Sequence, residues 1–177
     1  MLTLRPNMLK WILRSYPPFL FQRIWIQKIL PDYSGADVKI FRSLFNINGN
    51  RTIFGGTIFS ATDPLHPLLI DQIFKAKGYK KTVVWVKSAR IEYKKPGDGN
   101  LYISIRISQD DISDALRSIQ NEGKIVKIFT IEIYDKHRNL CAVSNNEIYI
   151  RNLLHESPHT PSTEEINTSE ININSIN

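Results

Sequence analysis

The stretch GGTIFSATDPLHPLLIDQIFKA, residues 55–76, decides the fold. Ile58, Phe59, Leu65, Leu68, Leu69, Ile73 and Phe74 recur at helical spacing. This predicts the one long helix of the chain, starting at Gly55 and stopped by Gly78. Pro64 and Pro67 interrupt it. Asp63-Pro64 therefore predicts a kink, with Asp63 restarting the helix as N-cap and Pro64 at its first position.

Around this helix the pattern changes to period two. Ala36–Phe45 alternates as a strand, with one break in phase of the kind a bulge leaves. Asn46–Asn50 is a loop. After the helix come strands over 82–94, 101–107, 125–134 and 140–150, with turns at Pro96–Asn100 and Asp135–Asn139. Residues 109–122 read as an exposed helical insert, acidic at its start (Asp110, Asp111). Ahead of everything, residues 7–15 read as a short helix ended by Pro17-Pro18. Residues 19–30 read as a second helix, stopped by Pro31. The order predicts an α+β domain: an antiparallel sheet wrapped around one long central helix, with N-terminal helices. A sheet with one helix on one face needs further cover, and dimerisation is the expected cover. The organisation is an N-terminal helical arm (1–31), the main domain (32–152) and a disordered tail (153–177) rich in Ser, Thr, Asn and Glu.

A chain of 177 residues, 42% hydrophobic, suits one domain with one substantial core. The single cysteine, Cys141, lies in a strand-like run, so no disulfide forms within the chain. The compartment is read as reducing and cytoplasmic. Net charge is +6, but no Lys or Arg follows Arg151, and Glu156, Glu164, Glu165 and Glu170 make the tail acidic. The basic body suits an anionic partner such as coenzyme A. Nucleic acid is set aside because no Lys/Arg-rich helix, zinc spacing or RNP-like aromatic motif accompanies the charge. No apolar run reaches the roughly 20 residues of a membrane span. Arg5, Lys10, Arg14, Arg23 and Lys28 break any secretory leader. The arm has three open readings. It caps a core or dimer interface through Trp11, Phe19, Phe21 and Trp25, it makes a peripheral membrane contact, or, as a minor option, it is a mitochondrial presequence.

A family resemblance rests on Tyr16-Pro-Pro-Phe19, Asn46-Ile-Asn48, Phe54-Gly-Gly-Thr57, Thr62-Asp-Pro64, Val84-Trp85, Lys87-Ser-Ala89 and Tyr93-Lys-Lys-Pro-Gly97. In this order the motifs resemble the DUF4442 branch (domain of unknown function) of the hot-dog-fold thioesterase-like superfamily. Two steps depart from the pattern: Arg51-Thr52 stands where the family usually has Gly-Thr, and Trp85-Val86-Lys87 where it often has Trp-Asp-Lys.

The resemblance implies hydrolysis of an acyl thioester, acyl-coenzyme A foremost, by a homodimer or homotetramer without a cofactor. The alternative is a hot-dog protein that binds an acyl chain or acyl-coenzyme A without cleaving it. Related thioesterases place an acid in a pattern similar to Gly-Gly-x6-Asp, which Gly56 and Asp63 fit. Asp63 is then the catalytic candidate, as general base or nucleophile. Gly55 and Gly56 admit a substrate to the backbone, and the N–H groups of Gly56 and Thr57 are candidates for an oxyanion hole. Asn46 and Asn48 are candidate substrate-binding residues, with a plain Asx turn as the competing reading. His66 reads as packed or solvated. Lys80, Lys81, Lys94 and Lys95 are candidates for contacts to coenzyme A phosphates. No metal-ligand spacing and no Gly-x-Ser-x-Gly elbow occurs.

Overall fold

The computed structural model describes residues 3–155. The tail expectation from 156 onward lies outside the described residues.

The chain begins with helices α1 (Pro6–Ser15) and α2 (Pro17–Phe21), followed by strands β1 (Ile24–Ile29) and β2 (Gly35–Ile40). Helices α3 (Gly55–Thr62) and α4 (Leu65–Ala76) come next, then β3 (Thr82–Tyr93), β4 (Leu101–Arg106), α5 (Gln109–Glu122), β5 (Lys124–Asp135) and β6 (Leu140–Asn152). All six strands form one antiparallel sheet in the order β1-β2-β4-β5-β6-β3. Cross-strand pairs such as Ala36–Ile105, Val38–Ile103 and Ile40–Leu101 turn inward and are almost fully buried.

The helix expected over residues 19–30 is replaced by α2 and a sixth strand. Arg23, with φ 60°, ends the helical turn. Ile24, Ile26 and Ile29 then pair with Ile40, Val38 and Ala36, burying their β-branched side chains. Strand β2 is shorter than expected. The chain leaves the sheet after Ile40, and Leu44 and Phe45 stand 86% and 80% exposed. The phase break thus marks the strand's end.

The central helix breaks at Asp63-Pro64, as its prolines require. Pro64 has no N–H for the Ser60 carbonyl, and Pro67 none for the Asp63 carbonyl. Asp63 does not restart the helix as N-cap. It is the C-cap of α3, its N–H donating to Phe59 O at 3.2 Å, while Pro64 occupies the N-cap of α4 without a side-chain bond. Gly78 does stop α4, at φ 94°. Its N–H donates to Lys75 O (3.0 Å) and that of Tyr79 to Phe74 O (3.1 Å), closing the turn. Helix α5 is less exposed than expected. Ser108 and Asp111 form a capping box at its start, and Ile112, Ala115 and Ile119 are buried.

Helix α1 packs on the edge strand β1 through Leu9 and Leu13, and Phe19 of α2 is buried beside them. The arm thus caps the core, although Trp11 and Phe21 stay exposed. Helix α4 packs on β3, the opposite edge. Residues of α1, α4 and β3 line a single cleft. The sheet therefore curls until its edges approach one another, with α1 across the gap. Among the described residues no helix is long and apolar enough to cross a membrane.

Candidate active site

Helix α3 carries the candidate residues, and a different environment surrounds each of its ends. At the N-terminal end, Thr57 N–H donates to Phe54 O (2.9 Å), and so does Ile58 N–H (3.3 Å). The Thr57 amide is thereby engaged and its side chain is buried. The amides of Gly55 and Gly56 precede that first bond and have no acceptor among the described residues. Both glycines sit against aromatic rings. A Cβ on Gly55 would lie 3.0 Å from the Tyr93 ring, and one on Gly56 would lie 2.3 Å from Phe54. Tyr93 OH donates to Gly55 O at 2.8 Å. A groove of ≈ 370 Å³ opens here, lined by Gly55, Asn48, Tyr93, Lys94 and Lys95.

The two asparagines differ. Asn46 is 3% exposed, and its Nδ2 donates to Gln22 O (2.7 Å) and Phe41 O (2.8 Å). Its Oδ1 accepts from Ser43 N–H (2.9 Å), and its carbonyl accepts from Phe54 N–H (2.8 Å). It is a structural knot under the start of α3, with nothing left for a ligand. Asn48 Oδ1 closes a turn on the N–H groups of Asn50 (3.0 Å) and Thr52 (3.2 Å), but Asn48 also lines the groove. In that turn Arg51 has φ 59°, the left-handed region that favours glycine, so the family's Gly at this step has a physical reason. Arg42 Nη2 donates to Arg51 O at 2.6 Å and clamps the turn.

The four lysines do not share a groove. Lys94 and Lys95 line the pocket at Gly55, while Lys80 and Lys81 precede the far end of β3. That strand has 12 residues, an extent of about 40 Å at roughly 3.3 Å per residue.

At the other end of α3, Asp63 lines the largest cleft, ≈ 1000 Å³, between α1, α4 and the Val84–Val86 segment of β3. Its carboxylate makes no hydrogen bond or ion pair among the described residues. Burial pushes it above the usual carboxylate range. Val86, at the position where the resemblance leads one to expect an acid, faces the same cleft, so Asp63 is its only carboxylate among the described residues.

A polar cluster not foreseen from the sequence lies behind Asp63. Asn146 Nδ2 donates to Thr62 O (2.9 Å), Ser144 Oγ donates to Asn146 Oδ1 (2.6 Å), and Thr62 Oγ1 donates to Phe59 O (2.9 Å). All three residues are 0% exposed. Asn146 thus supplies a donor to a carbonyl next to the helix break. His66, in the first turn of α4, is buried and stacked on Phe129 at 4.6 Å. Its Nδ1 has no partner among the described residues, and burial pushes it down to about 4, so it is neutral at pH 7. No group of three His, Cys, Asp or Glu side chains there is placed to hold a metal ion.

A six-stranded antiparallel sheet curled around a central helical segment is the hot-dog fold, and solved structures bear this out. The chain is similar to a Pseudomonas aeruginosa protein of unknown function described as a probable thioesterase. That match has TM-score 0.67 and 14% identity, covering 82% of this chain and 94% of that one. It is also similar to a thioesterase from Haemophilus influenzae (TM-score 0.62, 13% identity, 88% and 96% covered). A third match is a Chlorobaculum tepidum protein of unknown function (TM-score 0.67, 15% identity, 85% and 98% covered). No curated protein matches in sequence. The family model described as Domain of unknown function (DUF4442) matches residues 6–150, and the chain belongs to that family.

Proposed function

We propose that the protein hydrolyses an acyl thioester, such as an acyl-coenzyme A, in a reducing cytoplasmic setting. Asp63 acts as general base or nucleophile. The free amides of Gly55 and Gly56 hold the thioester oxygen as charge develops on it. Lys94, Lys95 and Asn48 face the thiol carrier. The observation that carries this reading is the Asp63 carboxylate itself: unpartnered, desolvated and open to the largest cleft.

Gly56 and Asp63 stand seven residues apart on one helix, about 10 Å at roughly 1.5 Å rise per residue. One thioester carbon cannot lie about 3 Å from both. Two protomers in opposite orientation would let the glycine end of one meet the aspartate of the other. Strand β3 has a ladder partner on one side only, β6, and offers its free edge to a second copy. A homodimer, or a homotetramer of such dimers, is therefore part of the proposal.

Val86 favours a second reading, an acyl-binding protein without turnover, because one carboxylate alone must activate the water. Thiol release from short- to long-chain acyl-coenzyme A, with Asp63→Ala beside the wild type, decides between them. The hydrolase reading expects a loss of about a thousandfold or more in the variant. Wild-type turnover should also rise with pH through a value above the ordinary carboxylate range, because burial raises the Asp63 pKa and the ionised form is the active one. Turnover that survives in Asp63→Ala would move the chemistry elsewhere. A folded, dimeric wild type without turnover would leave the binding protein.

A further inference from the structure

The cleft that Asp63 lines is far more apolar than hydrolysis alone requires. Met8, Trp11 and Ile12 of α1 form one wall, and Leu68 of α4 and Val84 and Val86 of β3 face them. Among the described residues no Lys, Arg or His lines it. A phosphate, a sugar or a charged acyl group would find no counter-charge and few hydrogen bonds there. At ≈ 1000 Å³ it stands at the upper end of small-molecule sites, which run to about 1,000 Å³.

We infer that this cleft is a long-chain acyl site, and that Trp11 and Ile12 on α1 set the chain length it accepts. The inference rests on the reading that Asp63 meets the thioester, because that carboxylate and the apolar side chains of α1 line the same cleft. A thin saturated chain suits a cleft of this size whose lining is mostly apolar and whose one charged side chain, among the described residues, is Asp63. Apolar side chains half exposed in the free protein, Trp11 at 56% and Ile12 at 47%, would be covered by it.

The roof is built to hold its shape. Arg14 places its guanidinium 4.6 Å from the Trp11 ring and 4.1 Å from the Trp25 ring. Its Nε donates to Ile26 O at 2.9 Å, bonding α1 to β1. Trp11 and Trp25 meet edge to face at 6.4 Å. Ahead of the helix, Leu4 N–H donates to Gln72 Oε1 of α4 at 2.8 Å, and Tyr33 OH donates to Leu4 O. Trp11 is thus a fixed wall, and α1 is fastened at both ends over the cleft. A preorganised wall of this kind discriminates chain lengths, because little ordering cost attends binding.

The test uses S-alkyl-coenzyme A thioethers, which cannot be hydrolysed, with butyl, octyl and dodecyl chains. Affinity is measured by calorimetry on the full chain. Wild type should bind dodecyl at least about a hundredfold more tightly than butyl, since each buried methylene adds up to about 0.8 kcal/mol, roughly fourfold. Ile12→Trp, at an exposed site that does not threaten the fold, should fill the slot. It should weaken dodecyl binding about tenfold or more and leave butyl unchanged. Trp11→Ala should weaken dodecyl binding and spare butyl. Affinity that does not vary with chain length overturns the inference, even if acyl-coenzyme A is hydrolysed. Length-dependent binding without hydrolysis in the wild type would remove the hydrolase and keep the chain site. Loss of the dimer in Ile12→Trp, seen by light scattering, would give the cleft to a second copy of the chain and overturn the inference.

Discussion

The glycine end of α3 is held mainly from the chain before it, whereas the aspartate end is held from the last strand. Asn46 ties Gln22, Phe41, Ser43 and Phe54 together from no more than 24 positions away, and Tyr93 of β3 adds a bond to Gly55 O. Asn146 and Ser144 reach Thr62 from β6, more than 80 positions away in sequence. The glycine end is polar and open to the lysines of a small groove, and the aspartate end is apolar and desolvated. The first set ties α3 to the ends of the β1–β2 pair, and the second ties it to β6 in a fully buried place.

The sharpest way to break this contrast is to remove the two asparagines separately. Asn146→Ala leaves the Thr62 carbonyl and the Ser144 hydroxyl unsatisfied in a fully buried place. It should cost about 3 kcal/mol in urea unfolding. It should also shift the acid limb of the turnover profile, because the segment carrying Asp63 loses its anchor. Asn46→Ala should cost a similar amount and leave that limb where it was. Equal pH profiles in the two variants would dissolve the distinction.

A smaller effect concerns His66, at the aspartate end. Its folded value of about 4 lies below the ordinary 6.5, so the unfolded chain binds more protons between those values. The stability it contributes is present above pH 6.5 and lost as pH falls toward 4. Unfolding free energy should drop by about 2 kcal/mol between pH 7 and pH 5, and His66→Phe should remove most of that slope. An unchanged slope in the variant would assign the acid sensitivity to other groups. The smallest expected effect is that of Asn48→Ala. It lacks the buried partners of Asn46 and should cost under about 1 kcal/mol in unfolding, while binding of the thiol carrier weakens. A larger stability loss would make Asn48 a structural residue like Asn46.

The central helix and its break were legible because Pro64 and Pro67 state the interruption in the covalent chain. So were four strands after it, whose alternation is regular. Strand β1 was not. A register shift between Ile26 and Lys28 puts its inward residues at 24, 26 and 29, a spacing with no clean period of two. Asp63 is a candidate only through the resemblance to Gly-Gly-x6-Asp. The expectation that it caps α4 failed because Pro64 takes that position. Asn146 and Ser144 carried no signal. Polar residues in a strand read as outward-facing, and only the carbonyl they meet in space explains why they point in. The inward face of α5 was readable from Ile112, Ala115 and Ile119, but its acidic start dominated the reading.

The chain has three tryptophans, and their placement has an optical consequence. Trp11 lines the cleft, Trp25 lies behind the Arg14 guanidinium, and Trp85 alternates with Val84 and Val86 onto the outer face of the sheet. Trp85 also rests on Tyr149 at 4.5 Å. Trp11 alone would therefore exchange water for hydrocarbon on entry of a chain, while the other two indoles would serve as internal references. Intrinsic emission should move to shorter wavelength on filling, which makes the protein its own label-free reporter of occupancy.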